Sequence, residues 1–348
     1  MKDLNPRQVV AILRILRDAR EPIGSSVISE ELKNYGFEHS SRTIRLYLQE
    51  METAGLVTPS RRGRDGGRSI TSLGLEEIRD ALVKDRVDFM ATKVDNLAYK
   101  VTFHPEKRKG LIVVNLTIID QAHLKSAVQE MTPAFRAGMG MGDYVYLAQA
   151  GEQFGDYYIP PGKIGLGTVC SVTLNGVLLN SRIPTVSRFG GVLEFHQGQP
   201  SRFTDLIYYN GTSLDPLEIF IKGRLTSVRE AARTGHGRIG ASFREIPSAA
   251  LSEMSPILRQ LKEIGLGGVL LLGKPNQPLL EFPVEEGRTG LIVSGGLNPI
   301  SAIEEAGIPT VNHALCTLLE FDKMIHYKEV LRMVTRDEFH FRMSDLVL

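Results

Sequence analysis

The last two thirds of this 348-residue chain repeat themselves. From about Gly110 onward, Glu130-Met131-Thr132-Pro133 matches Glu253-Met254-Ser255-Pro256, and Gly162-Lys163-Ile164-Gly165-Leu166 matches Gly287-Arg288-Thr289-Gly290-Leu291. Ile183-Pro184-Thr185-Val186 matches Ile308-Pro309-Thr310-Val311, and Leu193-Glu194-Phe195 matches Leu319-Glu320-Phe321. The offsets are 123, 125, 125 and 126 residues. Four matches in one order at nearly one spacing mark a duplication of whole lobes, since a solenoid would repeat a shorter unit more often. Two related lobes are predicted, residues 101–225 and 226–348.

Each lobe alternates strand and helix. In the second, 290–294 reads as a buried strand and Gly295-Gly296 as a turn. Asn298 then caps a helix with Pro299 in its first position, Gly307 ends it, and 308–312 is the next strand. The first lobe has strands at 166–170 and 183–187 around a helix near 174–180. Units of this length favour parallel pairing, which predicts an α/β (α+β) domain of two duplicated lobes. The segment 235–247, GHGRIGASFREIP, reads as a polar joint between the lobes, with glycines fit for a hinge.

Small residues at a strand end before a helix N-terminus suit an anion, because free N–H groups and the helix dipole meet there. Cys170, Ser171 and Thr173 form one such place; Ser294, Gly295, Gly296 and Asn298 form the other. Arg182, Arg188 and His313 lie near the matched IPTV strands, where they can pair with carboxylates. These ten are the candidate ligand-binding residues. Turn chemistry plus surface charge is the competing explanation of each, and both cysteines, Cys170 and Cys316, read as packing residues.

The start of the chain has a different pattern. Helices are predicted at about 6–20 and 26–35, the second ended by Gly36. Ser40 or Ser41 caps a third, in which Ile44, Leu48 and Met51 recur at core spacing. Arg42, Thr43, Arg45, Leu46 and Gln49 face outward. Gly55 stops this helix, and strands at 56–58 and 69–71 flank a loop holding Arg61, Arg62, Arg64 and Arg68 against one acid, Asp65. That order is a winged helix-turn-helix, over residues 1–85, preceding the duplicated domain. A helix fits the major groove of duplex DNA, where Arg bonds guanine bidentately, and wing arginines suit phosphate. The candidate DNA-binding residues are Ser41, Arg42, Thr43, Arg45, Gln49, Arg61, Arg62, Arg64 and Arg68. A winged helix used only for protein contacts is the alternative.

Charge does not decide between them. Residues 1–87 carry 15 Lys+Arg against 13 Asp+Glu, and the whole chain nets +1. The positive charge is local to the third helix and the wing. No apolar run approaches 18 residues, so no membrane span is expected. MKDLNPRQ lacks the apolar core of a signal peptide, and two distant cysteines suit reduced thiols, so a cytoplasmic location is expected. Eight histidines without ligand spacing predict no metal site. No persuasive nucleophile, base and orienter occur together, so no catalytic residue and no enzyme activity are expected. Between the halves, over 86–100, Val87, Met90, Val94 and Leu97 follow a heptad-like pattern. It reads either as a dimer seam or as a helix packed on its own domain.

The phrases EMTP and EMSP, GTVCS, SRIPTV, NGTSLDPLEIFI and GRIGASFREIP, behind a winged helix, resemble the archaeal nitrogen-regulatory repressor family NrpR. The resemblance covers nearly the whole chain. It implies a repressor of nitrogen-assimilation genes that binds a palindromic operator as a homodimer and needs no cofactor. It also implies 2-oxoglutarate as an effector that weakens DNA binding. Some members carry two regulatory domains and this chain carries one, which leaves open a second regulatory subunit. Other readings are a winged-helix regulator with another effector, an RNA-binding winged-helix protein, and a metabolic enzyme with a fused winged helix. RNA binding is disfavoured by Tyr47 being the only aromatic residue of 40–70.

Overall fold

The computed structural model describes residues 6–19, 21–59, 67–80 and 90–335. The chain divides into two compact units, residues 1–87 and 88–348. In the first, helices α1 (Pro6–Asp18), α2 (Ser25–Glu31) and α3 (Ser41–Thr53) precede strands β1 (Val57–Pro59) and β2 (Arg68–Ile70), and α4 (Ser72–Asp80) follows. Ile12, Leu13, Ile28, Leu32, Ile44 and Met51 are fully buried together, as their helical spacing predicts. Gly36 ends the short 3-10 turn after α2 at φ 77°, a left-handed conformation that glycine adopts freely. The β1–β2 ribbon is antiparallel, Val57 opposite Ile70, and Ile23 adds a bridge to Arg68. This is the winged helix that the sequence predicts. α2 begins after Gly24 rather than with Ser26 as its cap.

The second unit starts with α5 (Met90–Lys100), then β3 (Leu111–Asp120), α6 (Leu124–Arg136), β4 (Tyr144–Ala148), the β5 (Gln153–Phe154)–β6 (Tyr157–Tyr158) hairpin, and β7 (Lys163–Val169). Next come α7 (Val172–Asn180), β8 (Val186–His196), β9 (Gln199–Tyr208), α8 (Pro216–Lys222) and α9 (Val228–Thr234). The second copy of the motif supplies β10 (Gly237–Pro247), α10 (Leu251–Glu263), β11 (Val269–Leu272), β12 (Arg288–Ser294), α11 (Asn298–Glu305), β13 (Val311–Glu320), β14 (Ile325–His326) and α12 (Tyr327–Thr335).

The lobes exchange strands. One sheet runs β13-β3-β7-β4-β14 and the other β11-β12-β10-β8-β9. Each thus takes three strands from its own half of the repeat and two from the other. A boundary at 225/226 divides the sequence repeat but cuts through both sheets. The register carries the duplication. Val114 to Asp120 lie opposite Val169 to Lys163, and Ala241 to Pro247 lie opposite Ser294 to Arg288, seven pairs each time.

Every strand pair among the described residues is antiparallel, contrary to the parallel pairing expected of strand-helix-strand units. The reason is topological. After α7 and after α11 the chain enters the other sheet, and where a helix does return it to its own sheet, β3 to β4 and β10 to β11, an antiparallel strand, β7 or β12, lies between the two. The supposed polar joint, 235–247, is mostly strand β10, paired on both edges and largely buried. Ile239, Ala241 and Phe243 alternate along it toward one core. That period of two is a strand signal that the intervening polar residues hide.

Helix α5 belongs to this unit. Met90, Val94 and Ala98 are buried with Val101 in the core of the two sheets, and Leu97 is half-buried against it. A Cβ at Gly176 of α7 would overlap the Val101 side chain, so the glycine admits this packing. Of the two readings of 86–100, packing on its own domain is the one that Met90 and Val94 realise; Val87 lies outside the described residues.

Candidate DNA-binding face and ligand axis

Ser40 caps α3 by accepting the Thr43 N–H at 3.2 Å, which satisfies one of the free donors of the first turn. With Ile44, Leu48 and Met51 turned inward, Ser41, Arg42, Arg45, Leu46 and Gln49 are exposed and Thr43 is half-buried. Arg42 and Arg45 make no hydrogen bond or ion pair with another described residue. Arg68 differs. Its guanidinium reaches Glu52 of the same helix at 2.9 Å, so it braces the wing against α3. Arg61, Arg62 and Arg64 lie outside the described residues.

In the regulatory unit, the N-termini of α7 and α11 come together around one small cavity. A Cβ at Gly296 would strike the Val169 carbonyl oxygen, so only glycine fits there. Cys170, Ser171 and Gly296 line a small cavity with Asn115, Tyr209 and Asp215. Its volume, about 20 Å³, holds roughly one water.

The other predicted residues around these turns are tied to backbone. Asn298 is the first residue of α11 rather than its cap, which is Leu297. Its side chain accepts the Gly240 N–H and donates to the Gly240 carbonyl, both at 2.8 Å. Thr173 bonds the Val113 N–H and carbonyl at 3.0 and 3.1 Å. Ser294 donates to the Met139 carbonyl at 2.6 Å, and the Gly295 N–H to that of Gly240 at 2.9 Å. None of these four lines the cavity, and neither do the remaining three predicted residues. Arg182 is an exposed turn residue at φ 63°. Arg188 pairs with Glu285 at 2.8 Å and approaches the buried Glu245 at 3.7 Å. His313 stacks on Tyr157, with ring centres 3.8 Å apart.

Sequence reasoning missed the central cation. Arg244 of β10 is 1% exposed and, among the described residues, donates to uncharged groups: the Ser171 carbonyl at 2.8 Å, Ser171 Oγ at 2.6 Å, Ser242 Oγ at 3.1 Å, and Asn175. Burial lowers its pKa. Asp215 of the cavity is also buried. Desolvation pushes its carboxyl up to about 6, against the Leu217 and Glu218 N–H groups that it accepts. Glu218, raised to about 7 by burial and by Asp215, accepts from the Ala314 N–H. Burial holds the Cys170 thiol up at about 11, which suits packing and not nucleophilic attack.

A wider cleft of about 580 Å³ lies along α11, lined by Lys222, Arg224, Thr226, Ser301, Glu304 and Thr310 among others. Its acids are committed. Glu304 accepts from Lys222, Thr310 and Asn312, and Glu305 holds the Val228 and Arg229 N–H groups at 2.8 Å.

With this geometry in view, the chain can be set beside known proteins. Residues 87–326 match the family described as NrpR regulatory domains NRD1 and 2. The global nitrogen regulator NrpRI of Methanosarcina mazei is 36% identical over 91% of this chain and 97% of its own. The chain belongs to the NrpR family. A longer family member, the global nitrogen regulator NrpR of Methanococcus maripaludis, is 28% identical over 90% of this chain and 54% of its own. A solved nitrogen repressor-like protein from Methanococcus jannaschii superposes with a TM-score of 0.59 at 27% identity, over 69% of this chain and 99% of that one. Residues 10–78 match the ribonuclease R winged-helix domain. No helix of the described residues is long and apolar enough to cross a membrane.

Proposed function

We propose that this NrpR-family chain is a sequence-specific DNA-binding repressor of nitrogen-assimilation genes, acting as a homodimer on a palindromic operator and released by 2-oxoglutarate. The observation that carries the DNA part is the α3 face, where Arg42, Arg45 and Gln49 stand exposed and uncommitted on a capped helix. Such a face presents donors to base edges in the major groove. The nitrogen role follows the names of the related regulators. Those relatives are regulators, and the reading involves no catalysis, no cofactor and a cytoplasmic setting.

For the effector we favour the axis between α7 and α11. Among the described residues Arg244 is a buried cation without a carboxylate partner, and two helix N-termini converge beside it. The cavity is too small for a dicarboxylate as it stands, so a ligand seated there must part the two helices. Only a ligand with unequal affinity for DNA-competent and incompetent states shifts that balance. A coupling of about 1–3 kcal/mol changes operator affinity roughly 5- to 150-fold.

The test is binding of the purified chain to a duplex from upstream of a nitrogen-assimilation gene, at fixed salt, with and without millimolar 2-oxoglutarate. Tight specific binding that weakens supports the whole reading. Specific binding without a response leaves a regulator with another effector or a missing regulatory subunit. The ribonuclease R match makes single-stranded RNA the control. Preference for it over duplex DNA overturns the repressor.

A further inference from the structure

The exposed face of α3 has an apolar residue at its centre. Leu46 is 56% exposed, whereas Ile44 and Met51 of the same helix are fully buried and Leu48 is 4% exposed. Leu46 stands four residues after Arg42, three before Gln49 and next to Arg45, so these four share one stripe. It adds nothing to the core behind it. A single exposed leucine is ordinary on a protein surface. This one is distinguished by its neighbours, since Arg42 and Arg45 beside it are the exposed, uncommitted cations of the same face.

The major groove carries one apolar feature, the C5 methyl group of thymine. Leucine can neither donate nor accept a hydrogen bond. Against cytosine or adenine it would cover an exocyclic amino group without satisfying it, at a desolvation cost. Against thymine it exchanges two wet apolar surfaces for one contact. We infer that Leu46 packs on a thymine methyl group in each operator half-site, so that it selects a T·A pair beside the bases bonded by Arg42 and Arg45. This rests on the proposal that α3 reads duplex DNA.

The experiment uses the full chain. A binding duplex is selected from a random DNA pool at fixed salt, and each thymine is then replaced singly by deoxyuridine, which removes only the methyl group. One thymine per half-site is expected to matter, its replacement weakening binding about fourfold, the value of one buried methyl-sized group. Leu46→Ala should bind the thymine duplex more weakly by a similar factor and be indifferent to uracil at that position. Its fold is checked by an unchanged melting curve. Specific binding with no uracil-sensitive thymine overturns the inference while leaving the repressor intact. So does a uracil effect that persists in Leu46→Ala. A Leu46→Ala protein with unchanged DNA binding and an altered oligomeric state assigns the residue to a protein contact instead. If no duplex is selected at all, the DNA reading itself fails, and this inference with it.

Discussion

Asn298 holds Gly240 by both its N–H and its carbonyl, at 2.8 Å each, and so pins the start of α11 to the central strand of its own sheet. Thr173 does the same to Val113 in the other half of the repeat. The two gripping side chains are 125 residues apart and the two strand residues that they hold 127 apart, in step with the duplication. Asn298→Ala leaves the buried Gly240 N–H and two carbonyls short of a partner. It should cost about 3 kcal/mol of stability, read as a lower urea midpoint. Thr173→Ser, which keeps the hydroxyl, should cost much less. A midpoint unchanged in Asn298→Ala would mean that water takes over these bonds.

Gly296 predicts a second stability effect at the same axis. Its missing Cβ is replaced by the Val169 carbonyl oxygen, which is backbone and cannot swing aside. Gly296→Ala should destabilise by about 3 kcal/mol. Gly287→Ala is the contrast, because nothing lies within 4 Å of its Cβ and only its φ of 77° opposes it.

Arg42→Ala or Arg45→Ala should each cost about 1–3 kcal/mol of operator binding and relax sequence choice at one base. Arg68→Ala should behave otherwise. Its bond to Glu52 makes it a brace, so its loss should lower the melting temperature of the winged helix while leaving the slope of log affinity against log salt unchanged. Changes at Arg61, Arg62 or Arg64 should flatten that slope if they contact phosphate. Identical behaviour of all six would remove the distinction between base readers and positioning groups.

Asp215 predicts a pH effect. Its folded pKa, about 6, lies above the ordinary carboxyl value of 3.8. The stability that it contributes is therefore fully present below pH 4 and is lost as pH rises through about 6, a span on the order of 3 kcal/mol. Asp215→Asn keeps an acceptor for the Leu217 and Glu218 N–H groups and removes the ionisation. Its stability should fall less between pH 4 and 7 than that of the wild type, in melting followed by circular dichroism. The residual fall belongs to Glu218, whose carboxyl is raised to about 7.

The winged helix was legible because its signals are local. A serine cap, glycines at two left-handed positions and an i, i+4, i+7 apolar stripe each act within one element. The lobes were legible as a repeat for the same reason. What escaped was whatever depends on where the chain goes next. Nothing in the residues of β7, α7 and β8 says that the third enters the partner sheet, so parallel pairing looked right. Strand β10 escaped because its apolar alternation is short: Glu245 breaks it after Phe243, and Ser242 and Arg244 make the segment look polar. Arg244 and Glu245 look like surface charge until two sheets and a helix close over them. Of the ten residues chosen for a ligand, Cys170, Ser171 and Gly296 were brought together. Arg188 and His313, equivalent by the repeat offset, each found a neighbour of their own instead.

The exchange of strands has a consequence for how such a unit can arise and be taken apart. Neither half of the repeat can complete a five-stranded sheet alone, because β8 and β9 serve one sheet and β13 and β14 the other. A single ancestral half would have been stable only as an intertwined pair, each copy lending its last strands to its twin. Gene fusion would then have turned a concentration-dependent partnership into an intramolecular one, freeing each side of the axis to diverge. Cutting the polypeptide between β9 and β10 should therefore give two fragments that are unfolded apart and native together.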